Sequence, residues 1–347
     1  MFDAMDVLAR RRRSLLLAVV QNFIATAEPV GSLHLASKYS LGVRAASIRS
    51  MMAELEAEGF LYQPHTSAGR VPTDKAFRFY VDSIIPNQRN IGFRERAQIE
   101  FHYSERPRDL AEVMRDTSRL LALLTGQAAV VVAPRLESVV LERVNFVRVR
   151  PSQVLAIFVA QAGSIQSRLI EAEQDYGQDE LDRMASYLNE CINGQTLEGA
   201  RRRIEQALRE ERARYDHIAR AALTLGDAVI SRPSPTEVYV EGNAQALEQP
   251  EFSDVNKLKD LLRALEDKTA LLNLLERSLN GPGLMVSIGS ENVDARLNDL
   301  SVVAAVYASG SAALGSVAVV GPVRMDYGRV IPLVDYTART LSRVLEP

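Results

Sequence analysis

Apolar residues at Leu16, Val19, Val20, Phe23 and Ile24 follow the i, i+3, i+4 rhythm of one helix face. That rhythm predicts an amphipathic helix from Asp6 to Ala27. Pro29 and Gly31 stop it, and Ser32 is placed to cap a short second helix from Leu33 to Lys38. Leu41-Gly42-Val43 reads as a turn, and a third helix follows from about Ala45 to Glu58, closed by Gly59. Ile48, Met52 and Leu55 share its apolar face. The opposite face carries Ala46, Ser47, Ser50 and Ala53, flanked by Arg49. A short strand, Phe60 to Tyr62, leads into the turn His65-Thr66-Ser67-Ala68-Gly69-Arg70, and Val71 begins the return. A further helix carries Lys75, Phe77, Arg78, Tyr80 and Val81. The order is helix, turn, helix, wing.

Beyond this head, Pro86 to Phe101 is polar and reads as a linker. A helix from Asp109 to Thr125 precedes β-rich runs at Ala129–Ala133, Val139–Arg150, Val154–Ala162 and Ile165–Glu171, with turns at Pro151-Ser152 and Ala162-Gly163. Composition shifts at Glu173 to two long charged helices, Asp179 to Ile192 and Leu197 to Leu225, then a strand at Glu237–Glu241. Ile204, Leu208, Tyr215, Ile218 and Leu225 need a partner surface, and a second subunit could supply it. One helix from Val255 to Leu279, strands at Leu284–Ile288, Leu300–Tyr307 and Ala312–Val320, and a last helix from Ile331 to Leu345 complete the chain. Strand pairs flanked by helices predict an α+β sandwich. With 347 residues, two or three domains are expected.

Charge sharpens this picture. Residues 1–80 hold ten Lys/Arg against seven Asp/Glu, a surplus of three positive charges. The whole chain is at −3, so the remainder carries six net negative charges. A basic head on an acidic body suits a protein that touches phosphate at one end. Arg10–Arg13 followed by SLLLAVVQNFIATA has the outline of a secretory leader, but Gln21-Asn22 cuts the apolar run and the helical stripe continues through it. The single cysteine, Cys191, excludes a disulfide framework and fits a reducing cytoplasm. No apolar run reaches membrane-spanning length.

Catalytic chemistry is sparse. His34, His65, His102 and His217 match no zinc spacing, no phosphate-cradling glycine motif is present, and Cys191 lacks a histidine or basic cluster beside it. No enzyme activity, metal or cofactor is expected. The residue types that suit DNA are elsewhere. Small and hydroxyl residues let a helix approach base edges, and arginine bonds guanine or phosphate. That selects Arg44, Ala46, Ser47, Arg49 and Ser50 on the third helix, and His65, Thr66, Ser67 and Arg70 on the wing. Glu54, Glu56 and Glu58 would repel phosphate, which leaves the first half of the helix for the major groove. Arg324, Asp326 and Tyr327 form either a small-molecule motif or an ordinary strand-to-helix connection.

EPVGS, the run GVRAASIR, and above all QPHTSAGRVPTDKAFRFYVD resemble the winged-helix head of the heat-inducible transcription repressors of the HrcA type. GPVRMDYGRVIPLVDYTARTLS (Gly321–Ser342) resembles that family's closing motif, and IGSEN (Ile288–Asn292) fits between them. The chain departs from typical members at Arg44, where they have serine, at Ala45, often proline, and at Ser50, where they have asparagine. Arg44 forfeits a side-chain cap, a loss of about 1 kcal/mol, and Ser50 cannot make asparagine's bidentate adenine contact.

The resemblance implies an α+β multidomain chain. Residues 1–104 would be the winged helix-turn-helix with its linker, 105–172 and 251–347 the two parts of a GAF-like α/β sandwich body, and 173–250 an inserted dimerisation module. It also implies a homodimeric cytoplasmic repressor that reads an inverted-repeat operator upstream of chaperonin and DnaK-type chaperone operons, with chaperonin sustaining its activity. The alternative is a winged-helix repressor whose body binds a metabolite.

Overall fold

The computed structural model describes residues 2–39, 43–85, 91–104, 110–134, 140–160, 165–192, 194–211, 217–230, 236–244, 249–279, 283–292, 294, 297–310 and 312–346. The expected turns at Leu41-Gly42 and Ala162-Gly163 lie outside them. The chain is a mixed helix-and-sheet protein.

The first helix, α1 (Phe2–Thr26), buries Leu15, Leu16, Val19 and Val20 against α3 (Ala45–Ala57) and α4 (Asp74–Ile84). Between them lies the short α2 (Ser32–Lys38), which buries Leu35. Gly31, not Ser32, is its cap, and no side chain bonds the first turn, so the expected serine cap does not form. α3 buries Ile48, Met51, Met52 and Leu55. Strands β1 (Leu61–Tyr62) and β2 (Val71–Pro72) pair antiparallel and make a hairpin. Val30 extends the hairpin by exchanging both backbone bonds with Arg70, each 2.9 Å. Gly69 allows this approach, because a Cβ there would strike the backbone of Pro29 and Val30.

The stretch read as a linker contains a helix, α5 (Phe93–Ser104). Its pattern is faint because only Ile99 is buried, while Phe93 and Phe101 stand in solvent. α6 (Leu110–Thr125) then leads to β3 (Ala128–Val132).

Two sheets follow, and their membership differs from the boundaries expected at residues 173 and 250. A five-stranded antiparallel sheet has the order β7-β3-β10-β9-β8, with β7 (Val238–Glu241), β8 (Leu284–Ile288), β9 (Leu300–Ser309) and β10 (Ala312–Pro322). β7, expected in the insertion, is thus an edge strand of the body. A separate sheet contains β4 (Leu141–Arg150), β5 (Gln153–Ala160) and β6 (Ile165–Glu171). These strands, expected in the body, pack on α7 (Gln178–Ile192), α8 (Leu197–Glu211) and α9 (His217–Ile230) around a core of its own that includes Phe146, Phe158, Leu188 and Ile204. Asn189 ties α7 to β4, accepting from the Val144 N–H at 2.7 Å and donating to its carbonyl at 2.9 Å. Apolar alternation revealed each strand, but not which faces would meet.

The five-stranded sheet is covered on both faces, which explains its nearly continuous apolar strands. Ala129, Val131, Val303 and Val319 face α6 and the last helix, while Val130, Val302, Ala304 and Val320 face two other helices. Those two are α10 (Val255–Glu266) and α11 (Lys268–Leu279), expected as one. The break is Asp267, whose carboxylate accepts from the Ala270 N–H at 3.0 Å and starts the second helix. The last helix, α12 (Tyr327–Leu345), starts earlier than expected. Its face of the sheet and the head share one continuous core, in which Phe77 of α4 contacts both Phe23 and Tyr327 (ring centroids 6.3 and 6.2 Å apart).

Candidate nucleic-acid interface

α3 turns its buried stripe to α1 and its remaining surface outward. Ala46, Ser47, Arg49 and Ser50 are all exposed. Arg44 precedes the helix in extended backbone (φ −76°, ψ 154°), makes no side-chain cap and is exposed too. The hairpin folds back beside this face. Its turn is held by the Ala68 N–H on the His65 carbonyl at 2.8 Å. Gln63 clamps it from below, donating to the carbonyls of Thr66 (3.0 Å) and Ala68 (2.8 Å). Gln63 was missed in the sequence, where an amide beside a turn has no distinguishing pattern.

Hairpin, α2 and α3 enclose a cleft of about 510 Å³. Four of the selected residues line it, namely Arg49, Thr66, Ser67 and Arg70. The start of α2, Gly31 to Leu33, supplies the far wall, with Leu33 exposed at 73% of its surface. Arg44, Ala46, Ser47, Ser50 and His65 sit outside that wall but remain on the exposed surface.

The cations in and around the cleft differ in their engagements. Arg70 lies 2.9 Å from the Glu56 carboxylate and is largely covered. Arg12, from the arginine run of α1, bridges Glu54 (2.6 Å) and Glu58 (3.2 Å). Lys75 donates to the Glu58 carbonyl at 2.8 Å and lies over the Phe60 ring, so it closes the end of α3. Glu54 and Glu56 of α3, and Glu58 just beyond it, are thereby tied to Arg12 and Arg70 and form a strut for the head. Arg49 reaches the cleft from the first half of the same helix.

Arg324, Asp326 and Tyr327 lie far from this cleft in sequence and are engaged internally. Arg324 pairs with Glu251 and donates to the Ile24 carbonyl at 2.8 Å. Asp326 caps α12, and the buried Tyr327 hydroxyl donates to the Val323 carbonyl (2.6 Å) and meets Ser301 (2.8 Å). Burial pushes the Tyr327 hydroxyl well above its usual range. These contacts make a strand-to-helix corner.

The family model described as HrcA protein C terminal domain matches residues 111–331. A heat-inducible transcription repressor HrcA of Geobacter sulfurreducens is 40% identical over 342 residues, covering 99% of each chain. The chain belongs to the heat-inducible transcription repressor family, HrcA. Another HrcA relative, from Syntrophobacter fumaroxidans, is 40% identical over 344 residues and 99% of each chain. Among solved structures, a crystal structure of a hypothetical protein at 2.2 Å aligns over 96% of this chain and 98% of its own, with TM-score 0.65 and 24% identity. That likeness shows a shared fold. HrcA relatives match the head as well as the body. No described helix is long and apolar enough to cross a membrane.

Proposed function

We propose that the chain is a transcriptional repressor of heat-shock genes that binds an inverted-repeat operator as a homodimer. In this reading the head is a winged helix-turn-helix, with α3 the recognition helix and the β1–β2 hairpin the wing. The five-stranded body is a GAF-like sandwich, and the unit of β4–β6 with α7–α9 is the inserted dimerisation domain. One observation carries the reading: Arg49, on the small-residue face of α3, lines the same cleft as Thr66 and Ser67 of the hairpin. Groove edges and backbone phosphates are thereby addressed from one surface. The outward face of β4–β6 supports pairing of two copies. Val147, Leu155 and Leu169 stand opposite one another across its three strands, and Val147 and Leu169 are 39% and 50% exposed. Two-fold pairing of chains would match a two-fold operator. Family membership supports the heat-shock target and control by chaperonin.

Footprinting on an inverted repeat upstream of a chaperonin operon, with and without chaperonin, tests the whole reading. Protection of both half-sites, strengthened by chaperonin, is the expected result. Arg49→Ala should weaken operator binding by about 1–3 kcal/mol if the arginine reads a base, or lower the salt slope by about 1 if it meets a phosphate. Unchanged affinity and slope would remove α3 from the interface.

A further inference from the structure

The IGSEN motif, Ile288 to Asn292, lies in the body and contributes nothing to the cleft. It is nonetheless a built site. Asn292 is buried and its amide nitrogen lies within bonding distance of three carbonyls, Gly289 (2.9 Å), Leu297 (2.8 Å) and Leu300 (2.8 Å). Glu291 accepts from the Ile288 N–H at 2.9 Å, which closes the turn upon itself. Gly289 has φ +52°, and a Cβ there would overlap the Asp74 carboxylate. The turn is therefore shaped to receive a group of the head.

That group is one face of α4. Asp74 and Arg78, four residues apart, point the same way. Asp74 accepts from the backbone N–H and the hydroxyl of Ser290, at 2.9 and 2.8 Å. Arg78 donates to Glu291 through Nε at 2.7 Å, makes a second bond to the other Glu291 oxygen through Nη2, and donates from Nη2 to the Val286 carbonyl at 2.7 Å. The head presents an acceptor and then a donor, and the body presents a donor and then an acceptor. Apolar contacts such as Phe77 with Tyr327 are non-directional. Two charge-assisted contacts a helical turn apart have direction, and they admit one rotation of α4 on the body. α4 shares its core with α1 and α3, so whatever fixes α4 aims the cleft.

We propose that Asp74, Arg78, Ser290 and Glu291 are positioning residues that set the angle of each head, and so the half-site spacing a dimer accepts. The inference rests on the inverted-repeat reading above. In a two-fold assembly a small rotation of each head changes the separation of the two recognition helices, whereas it leaves each head's own contacts intact.

The experiment uses the full chain and Glu291→Gln, with Arg78→Gln as a second variant that opens the same contact from the head. Affinities are measured for a single half-site and for inverted repeats whose half-site spacing is varied base pair by base pair. The wild-type chain should show a narrow optimum. Both variants should keep the single half-site affinity, lose about tenfold at the optimum and flatten the profile. Variants with the wild-type profile would overturn the inference alone. So would variants that lose half-site and repeat affinity in equal measure, since that marks a damaged fold. A wild-type chain indifferent to spacing would overturn the dimer reading and the inference with it.

Discussion

Arg70 shows how a single side chain can sit in the right place for another reason. It lines the cleft beside Arg49, yet its guanidinium lies against Glu56. Its backbone is also the partner of Val30. Arg70 therefore fastens the hairpin to α3, and Glu56 should matter as much as Arg70 does. Glu56→Gln and Arg70→Ala are expected to weaken operator binding similarly, each with an unchanged salt slope. Tighter binding by Glu56→Gln would instead mark Arg70 as a phosphate contact held back by the glutamate. Residue types in this region were legible in the sequence, because hydroxyls, a glycine and arginines at a turn have known uses. Their pairing was not. Arg70 meets Glu56, and Arg12 meets Glu54, only after the hairpin and α1 fold back on α3, and charge alone does not say which cation meets which carboxylate. Gln63 was invisible for the same reason.

At the scale of elements, the contact between α4 and the Ile288–Asn292 turn responds to acid in a defined direction. Burial alone would raise the Glu291 carboxyl, but its bonds from Arg78 and the Ile288 N–H outweigh that and hold it below the ordinary glutamate range. The Arg78 guanidinium is raised in turn, chiefly by its bond to Glu291. The folded value of Glu291 lies below the unfolded one, so the stabilisation is complete above about pH 4.3 and fades as pH falls through the folded value. The difference in denaturation midpoint between the wild-type chain and Glu291→Gln should be constant from neutral pH to about pH 5 and shrink below about pH 4. A difference that grows on acidification would contradict the assignment. Helices with wide apolar stripes, such as α1 and α6, were legible from periodicity. α5 was not, because a helix with one buried residue has almost no period to read. The break at Asp267 escaped because a capping aspartate ends one helix and begins another without glycine or proline.

On the scale of the whole molecule, the apolar outer face of β4–β6 bears on assembly. Placing charge there, with Val147→Glu and Leu169→Glu together, should convert a dimer to a monomer in sedimentation while leaving the core of Phe146, Phe158 and Leu188 on the opposite face undisturbed. A variant that still sediments as a dimer would place the pairing surface elsewhere. The sequence revealed these strands by their alternation, and it revealed β7 as well. It did not reveal that the two belong to different sheets, because pairing between distant strands leaves no local trace.

Val132 and Val238 stand opposite each other in the body, and the Ala133 N–H bonds the Glu237 carbonyl at 2.9 Å just beyond them. Everything from 133 to 237 therefore departs and returns through two adjacent strands. As a route of the chain it is an excursion from one β-hairpin, and the order β7-β3-β10-β9-β8 borrows no strand from it. A short turn joining those two strands should leave the sheet, and the head packed on it, able to fold. Under the proposed dimer reading, a chain shortened in this way is expected to bind one half-site and no longer to pair.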